Sequence, residues 1–405
     1  MAASFTLVSL LGLAAAQQLA TNPGGFVPAG VKAPNTAGLR NATISPSRGG
    51  LAVCVSGMVT INATSTKNLK FNFETPQNQT GLTDVFTQFI TAGSPFMKNI
   101  MAGTQTVSGS YDIGATLCTP ADNSNPAGVQ LLTHGIGFDR HYWDFAPGYS
   151  YVDAAIQAGY ATLSYDRLGV GASDQPDPLN AIQAALQVEI AAELGRQLRS
   201  GVFGGCSFAT VVGVGHSFGS IISQSITALY PDVLDAAVLT GFSMNNTGIP
   251  PFVSGLNFQI ASQNQPYRFT ALPPGFFVSA TPISAQIGFF RVPGFDPNVL
   301  FMADAGKGTT TYGEWFSITS VTQPAQNFTG SVIVVNGDAD LPFCLGNCTY
   351  PTDLGAAAVT MLYPNLDQNM TSSIVVPQTG HGVSLHYGAA EAYLSVQGFL
   401  KAQNL

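Results

Sequence analysis

Residues 211–219 read Val-Val-Gly-Val-Gly215-His216-Ser217-Phe218-Gly219, and the fold follows from how this run divides. Val211 to Val214 is a short apolar strand, while Ser220 to Tyr230 has helical spacing and is stopped by Pro231. Between them lies a G-x-S-x-G turn. A side chain held at a sharp strand-to-helix turn has a strained backbone, so its neighbours two positions away must be small, and glycine satisfies this. The turn sets Ser217 at the positive end of the following helix and aims the Phe218 amide where a substrate oxyanion would form. The plainer alternative is a glycine-rich turn with an incidental serine; the strand before and the helix after are the context that a nucleophile needs.

Outward from this turn, short apolar strands alternate with helical segments, the pattern of a parallel α/β sheet. Strands are expected at Val129–Thr133, Ala161–Tyr165, Ala236–Leu239, Val332–Val335 and Ser373–Val376. Helices are expected at Tyr151–Ala158, Ala181–Leu198, Leu354–Leu362 and Ala389–Leu400. Upstream, Leu51–Asn62 and Thr106–Leu117 alternate as antiparallel strands do, with a helical insertion (about 74–103, its helical spacing running from Thr83 to Met101) between them. The stretch 243–326 breaks the rhythm. It is rich in Pro, Phe and Gly and too long for a loop, so it reads as a cap inserted between two strands of a core formed by 51–242 and 327–405.

A serine at its free pKa is a poor nucleophile and needs a base held by a carboxylate. Of the five histidines, His381 lies in a Gly-His-Gly loop right after the last apolar strand, where the base belongs, whereas His386 reads as a surface or cap-facing side chain. For the acid, Val332–Val335 runs into Gly337-Asp338-Ala-Asp340. Asp340 is favoured and Asp338 reads as a turn residue bonding its own backbone; spacing alone separates them. The chain order Ser217, Asp340, His381 is the one this arrangement requires. A second oxyanion donor is expected from His134-Gly135-Ile136-Gly137, with Ile136 offering its amide beside that of Phe218.

On His134-Gly135, the segment Tyr165-Asp-Arg-Leu-Gly-Val-Gly-Ala-Ser173, the elbow Gly215–Gly219, Gly337–Asp340 and Gly380-His381, the chain from about Gly128 to Leu400 resembles the α/β-hydrolase superfamily, in the manner of secreted, fungal-type esterases with a lid. The resemblance implies an α/β fold with a mostly parallel eight-stranded sheet flanked by helices, an inserted helical cap and acyl-enzyme chemistry; the chain departs from the family in its N-terminal β-rich extension and in the Thr83–Met101 insertion. It also implies that the Asp166 segment is structural and braces the active-site face. Epoxide hydrolases and haloalkane dehalogenases of this fold need Asp at the elbow, so the serine argues against both.

Composition narrows the classes further. The 405 residues are 45% apolar or aromatic and only 9% charged, with 14 Lys+Arg against 22 Asp+Glu. A disordered chain carries more charge, and a nucleic-acid binder needs the basic face that a net charge of −8 does not supply. Residues 1–16 read as a secretory signal, followed by an extended leader over 17–50 and, beyond the signal, by no apolar run long enough to span a membrane. The polar C-terminus shows neither a GPI tail nor a retention signal. N-x-S/T acceptors at Asn41, Asn62, Asn78, Asn245, Asn327, Asn347 and Asn369 agree with export, and glycans there would solvate a surface that charges do not. In an oxidising compartment the spacing suggests bridges Cys54–Cys118 and Cys344–Cys348. Cys206 is left as a small buried hydrophobe.

The expected activity is hydrolysis of a carboxylic ester or lactone of an apolar or aromatic small molecule, with no cofactor and no metal; Asp139, His141 and Asp144 lack a recognised ligand spacing. An acyltransferase, a peptidase, a secondary-metabolite-tailoring enzyme and a non-catalytic binding protein of the same fold remain open, as does the oligomeric state.

Overall fold

The computed structural model describes residues 34–122 and 124–405. The signal sequence and the first part of the leader lie outside the described residues. The core is one sheet of nine strands: β1 (Arg40–Pro46), β2 (Ala52–Phe71), β3 (Met101–Pro120), β4 (Gly128–Thr133), β5 (Tyr160–Tyr165), β6 (Val211–His216), β7 (Ala236–Thr240), β8 (Ser331–Gly337) and β9 (Thr371–Val376). Their spatial order is β1-β2-β3-β5-β4-β6-β7-β8-β9. The first three pair antiparallel, β3 meets β5 antiparallel, and every pairing from β5 to β9 is parallel. Strands β2–β9 are the eight that the resemblance implies; β1 adds a ninth along the outer edge of β2.

Two sequence patterns account for the two halves. Strands β4 to β8 are buried along their whole length and read as unbroken runs such as Ala-Ala-Val-Leu-Thr, as strands covered on both faces must. In β2, Val59, Ile61, Ala63 and Ser65 are buried while Thr60, Asn62 and Thr64 face solvent, the period-2 signature of a sheet wet on one side. Cys54 and Cys118 are register partners across β2 and β3 and are joined by a disulfide.

Two helices connect β2 to β3: α1 (Gln79–Ile90), which Asn78 caps by accepting from the Gly81 amide, and a short turn at Phe96–Ile100. The remaining core helices are α2 (Tyr151–Gln157), α3 (Ala184–Ser200), α4 (Phe218–Leu229), α9 (Leu354–Leu362) and α10 (Ala389–Ala402). Successive residues of β4 show which face each covers. Gln130 bonds Tyr151 of α2 and Gln397 of α10, whereas Leu131 points at Gly195 of α3. Between β7 and β8 the chain makes α5 (Ile249–Leu256), α6 (Pro282–Phe289), α7 (Pro297–Ala305), α8 (Tyr312–Ser317) and a small three-stranded sheet. This inserted segment carries only six charged residues. No helix among the described residues is long and apolar enough to cross a membrane.

Cys206 departs from the sequence reading. It is an exposed free thiol, because β6 begins only at Val211 and Cys206 still belongs to the glycine turn before it.

Candidate active site

The turn from β6 into α4 gives Ser217 a φ of 57° and a ψ of −119°, a conformation that few side chains adopt. The flanking glycines make it possible. A Cβ on Gly215 would lie 2.4 Å from the Gly219 carbonyl oxygen, and one on Gly219 would lie 2.0 Å from that of Thr133. The strand ladder continues into the turn, since the Ser217 amide donates to the Thr240 carbonyl at 2.9 Å.

The three residues that sequence reading assigned to nucleophile, base and acid meet here. Ser217 Oγ lies 2.8 Å from His381 Nε2, and His381 Nδ1 lies 2.6 Å from Asp340 Oδ2. Asp340 and His381 are fully buried and Ser217 is 8% exposed. Asp340 leaves the end of β8 as the cap of a short helix, Leu341–Cys344, and its other oxygen accepts from the Phe343 amide at 2.9 Å. The Cys344–Cys348 disulfide closes that helix, and Gly346 and Cys348 donate back to the carbonyls of Asp340 and Asp338. The disulfide-closed turn 344–348 is thus hydrogen-bonded back to the segment that carries Asp340.

Asp338 does not bond its own backbone. Its carboxylate accepts from the Gln378 and Thr379 amides at 3.0 Å each, which ties the acid loop to the loop carrying the histidine. His386, expected as a surface or cap-facing side chain, is wholly buried and faces the inserted segment. Its Nδ1 donates to the Gly382 carbonyl at 2.8 Å, and its Nε2 accepts from the Gly380 amide at 3.0 Å and from the Arg291 amide of the inserted segment at 3.0 Å. Both neighbours of His381 are thus held by one imidazole. Apolar packing, which no spacing rule reports, draws His386 inward.

Burial holds three other histidines, His134, His216 and His386, in the neutral form. His386 is pushed down to about 4, chiefly by desolvation. His134 is pushed down to about 3 by desolvation and by the Arg167 charge, so it donates Nδ1–H to the Gly135 carbonyl and accepts the Arg167 amide at Nε2. His216 is likewise held neutral by burial and by His381; it stacks on Tyr142 at 4.5 Å. The sign of the linkage follows directly. An unfolded histidine titrates near 6.5, so between pH 7 and pH 5 the unfolded chain takes protons that His134 and His386 refuse when folded. Stability should fall over that window by roughly 2 kcal/mol per histidine. Urea denaturation at the two pH values measures it; equal unfolding free energies would contradict it.

Ile136, in the loop after β4, and Phe218, the first residue of α4, are the expected oxyanion donors and are both buried. Among the described residues neither amide donates to a chain acceptor, and a Cβ on Gly135 would touch the Ser217 Cβ at 2.8 Å. Asp166 braces this face as the resemblance implies: its carboxylate pairs with Arg140 and accepts the Arg140 and Ala172 amides. Asp139 pairs with His141 at 3.1 Å while Asp144 accepts the Arg48 amide. Aromatic rings of the inserted segment pack beside the histidine, with Phe252 at 5.7 Å and Phe289 at 6.0 Å from the His381 ring.

Comparison with known proteins agrees with this architecture. The model of the alpha/beta hydrolase family matches residues 130–396. The chain belongs to the alpha/beta hydrolase family. Solved structures similar to this alpha/beta hydrolase include a thermophilic esterase from Thermogutta terrifontis, 13% identical with a TM-score of 0.48 over 72% of this chain and 94% of that one. An epoxide hydrolase from Vigna radiata is 13% identical with a TM-score of 0.49 over 72% and 94%. A monoacylglycerol lipase from Paleococcus ferrophilus is 13% identical with a TM-score of 0.47 over 69% and 96%. No curated protein matches the sequence.

Proposed function

We propose that this alpha/beta hydrolase is a secreted serine hydrolase that cleaves a carboxylic ester or lactone of an apolar or aromatic substrate. The continuous hydrogen-bonded line from Ser217 Oγ through His381 to Asp340, at 2.8 and 2.6 Å, carries the proposal. Ser217 attacks the carbonyl carbon while His381 Nε2 takes its proton, and Asp340 holds the resulting imidazolium in place. The Ile136 and Phe218 amides stabilise the oxyanion. The leaving alcohol takes the proton from His381, and water then cleaves the acyl-enzyme by the reverse sequence. A lid formed by residues 243–326 presents Phe252 and Phe289 beside His381, which favours an apolar or flat substrate over a charged one.

Secretion is supported by the two disulfides and by the acceptor asparagines, six of which are exposed while Asn245 is half-buried. The direct test is a fluorophosphonate probe. Ser217 is expected to become covalently labelled in the native protein, and a native protein left unlabelled would overturn the reading. A panel of p-nitrophenyl esters of graded acyl length beside aryl esters and lactones then ranks substrates.

A further inference from the structure

Arg167 is a large cation buried at the centre of the molecule, and its surroundings set it apart from an ordinary structural ion pair. Its side chain and that of its partner Glu314 are 0% and 1% exposed. Glu314 comes from α8 of the inserted segment. There it accepts from Gln187 Nε2 at 2.9 Å, from Thr310 Oγ1 at 2.8 Å and from the Thr311 amide at 3.1 Å, while Arg167 Nη1 also bonds Gln187 Oε1 at 2.9 Å. The rest of the guanidinium is turned to the loop after β4. Arg167 Nε donates to the His134 carbonyl at 3.1 Å and Nη2 to the Gly135 carbonyl at 3.3 Å. Its face lies on the Phe218 ring, with the guanidinium carbon 4.6 Å from the ring centre.

These contacts converge on the two oxyanion amides. In a planar trans peptide the C=O and N–H point in opposite directions, so fixing the Gly135 carbonyl fixes the direction of the Ile136 N–H. Two donors fix that carbonyl, Arg167 Nη2 and His134 Nδ1, and the Arg167 amide holds His134 in the tautomer that can donate. The same guanidinium packs on the side chain of Phe218, whose amide is the second donor. Glu314 sets the position of the guanidinium from the inserted segment and neutralises it.

We infer that Arg167 and Glu314 are positioning residues that couple the inserted segment to the oxyanion donors, so that the alignment of the Ile136 and Phe218 amides depends on where α8 sits. This rests on the serine-hydrolase reading. A purely structural pair would affect how much protein folds and leave the turnover of each folded molecule unchanged. A positioning pair lowers kcat, since oxyanion alignment matters in the transition state, and leaves KM nearly unmoved.

The test compares the native protein, Glu314→Gln and the double replacement Arg167→Met with Glu314→Met, each assayed with one p-nitrophenyl ester and normalised to folded protein. Breaking a buried pair from one side destabilises, whereas removing both charges together commonly preserves the fold, so the double variant keeps the test decisive if the single one does not accumulate. The expected result is a kcat lower by about 10- to 100-fold in both variants, a fraction of what the loss of a whole oxyanion donor causes, with KM changed by less than about threefold. A Val359→Ala variant, truncated in the core of α9 away from the site, is expected to lose melting temperature and keep kcat. If folded variants turn over with native kcat, the coupling is overturned. If the native protein is not labelled by fluorophosphonate, the serine chemistry itself falls and this inference with it. Native labelling with unchanged variants overturns the coupling alone.

Discussion

Ser217→Ala is expected to leave a folded protein whose ester turnover is at least about 10⁴-fold below the native value. The size of the loss follows from the geometry. Removing Oγ leaves His381 Nε2 with no proton to take, and the acid, the base and the amides of Ile136 and Phe218 have no covalent intermediate to stabilise. The fold survives because the Oγ touches little else: its bond is to His381 at 2.8 Å, and the strained backbone of residue 217 is fixed by the glycines beside it. Circular dichroism and melting temperature should match the native protein while p-nitrophenyl ester hydrolysis disappears into background. A folded variant that retained native turnover would move the chemistry away from Ser217.

A large stability loss is expected from Gly219→Ala. The new methyl would lie 2.0 Å from the Thr133 carbonyl oxygen and 2.6 Å from its carbon, both backbone atoms of a central strand that cannot turn aside as a side chain can. Relief requires α4 or β4 to shift, and both are packed in the interior. A loss of at least about 5 kcal/mol follows, enough to remove most of a typical domain's stability. Gly398→Ala is the internal control. It lies on the exposed side of α10 with nothing within 4 Å of its would-be methyl, and it should stabilise by about 0.5–1 kcal/mol. Denaturant unfolding of the two variants side by side checks both; equal stabilities would show that the turn has room.

The contrast between these glycines shows which parts of the molecule its sequence made legible. The elbow could be read because its constraint is local, with a strand, two glycines two positions from the serine and a helix start within a dozen residues. The parallel strands announced themselves as short apolar runs, and the candidate base was placed by its position after β9, while for the candidate acid after β8 spacing alone separated Asp340 from Asp338. The supports of the site were hidden because they join distant residues. Arg167 meets Glu314 across 147 positions, and His386 meets the Arg291 amide across 95. Periodicity assigns a side chain to a face and says nothing of the partner waiting there. Glu314 did stand in a Thr-x-x-Glu capping box, realised at the start of α8, which could have marked the helix but not the arginine. Cys206, expected to be buried, is exposed, and His386, expected at the surface or facing the cap, is buried against the inserted segment, because exposure is decided by the packing of neighbouring elements. Strand β1 was missed for a related reason: its residues include Asn, Ser and Pro, and only the open edge of β2 makes them a strand.

The closeness of Phe252 and Phe289 to His381 also bears on the timing of catalysis. On the proposed serine-ester chemistry, with Ser217 8% exposed, an ester would reach it only after rings such as Phe252 and Phe289 draw back. Substrate capture would then be governed by a pre-equilibrium, and the apparent affinity would be the intrinsic affinity multiplied by the fraction of molecules that are open at any instant. Two esters with identical chemistry at the carbonyl can therefore differ in kcat/KM solely through how far each requires the rings to part. On the same reading, rings closed over an acyl-enzyme would also govern how readily water follows the alcohol into the site, and so would set both the rate of arrival and the partition between hydrolysis and return.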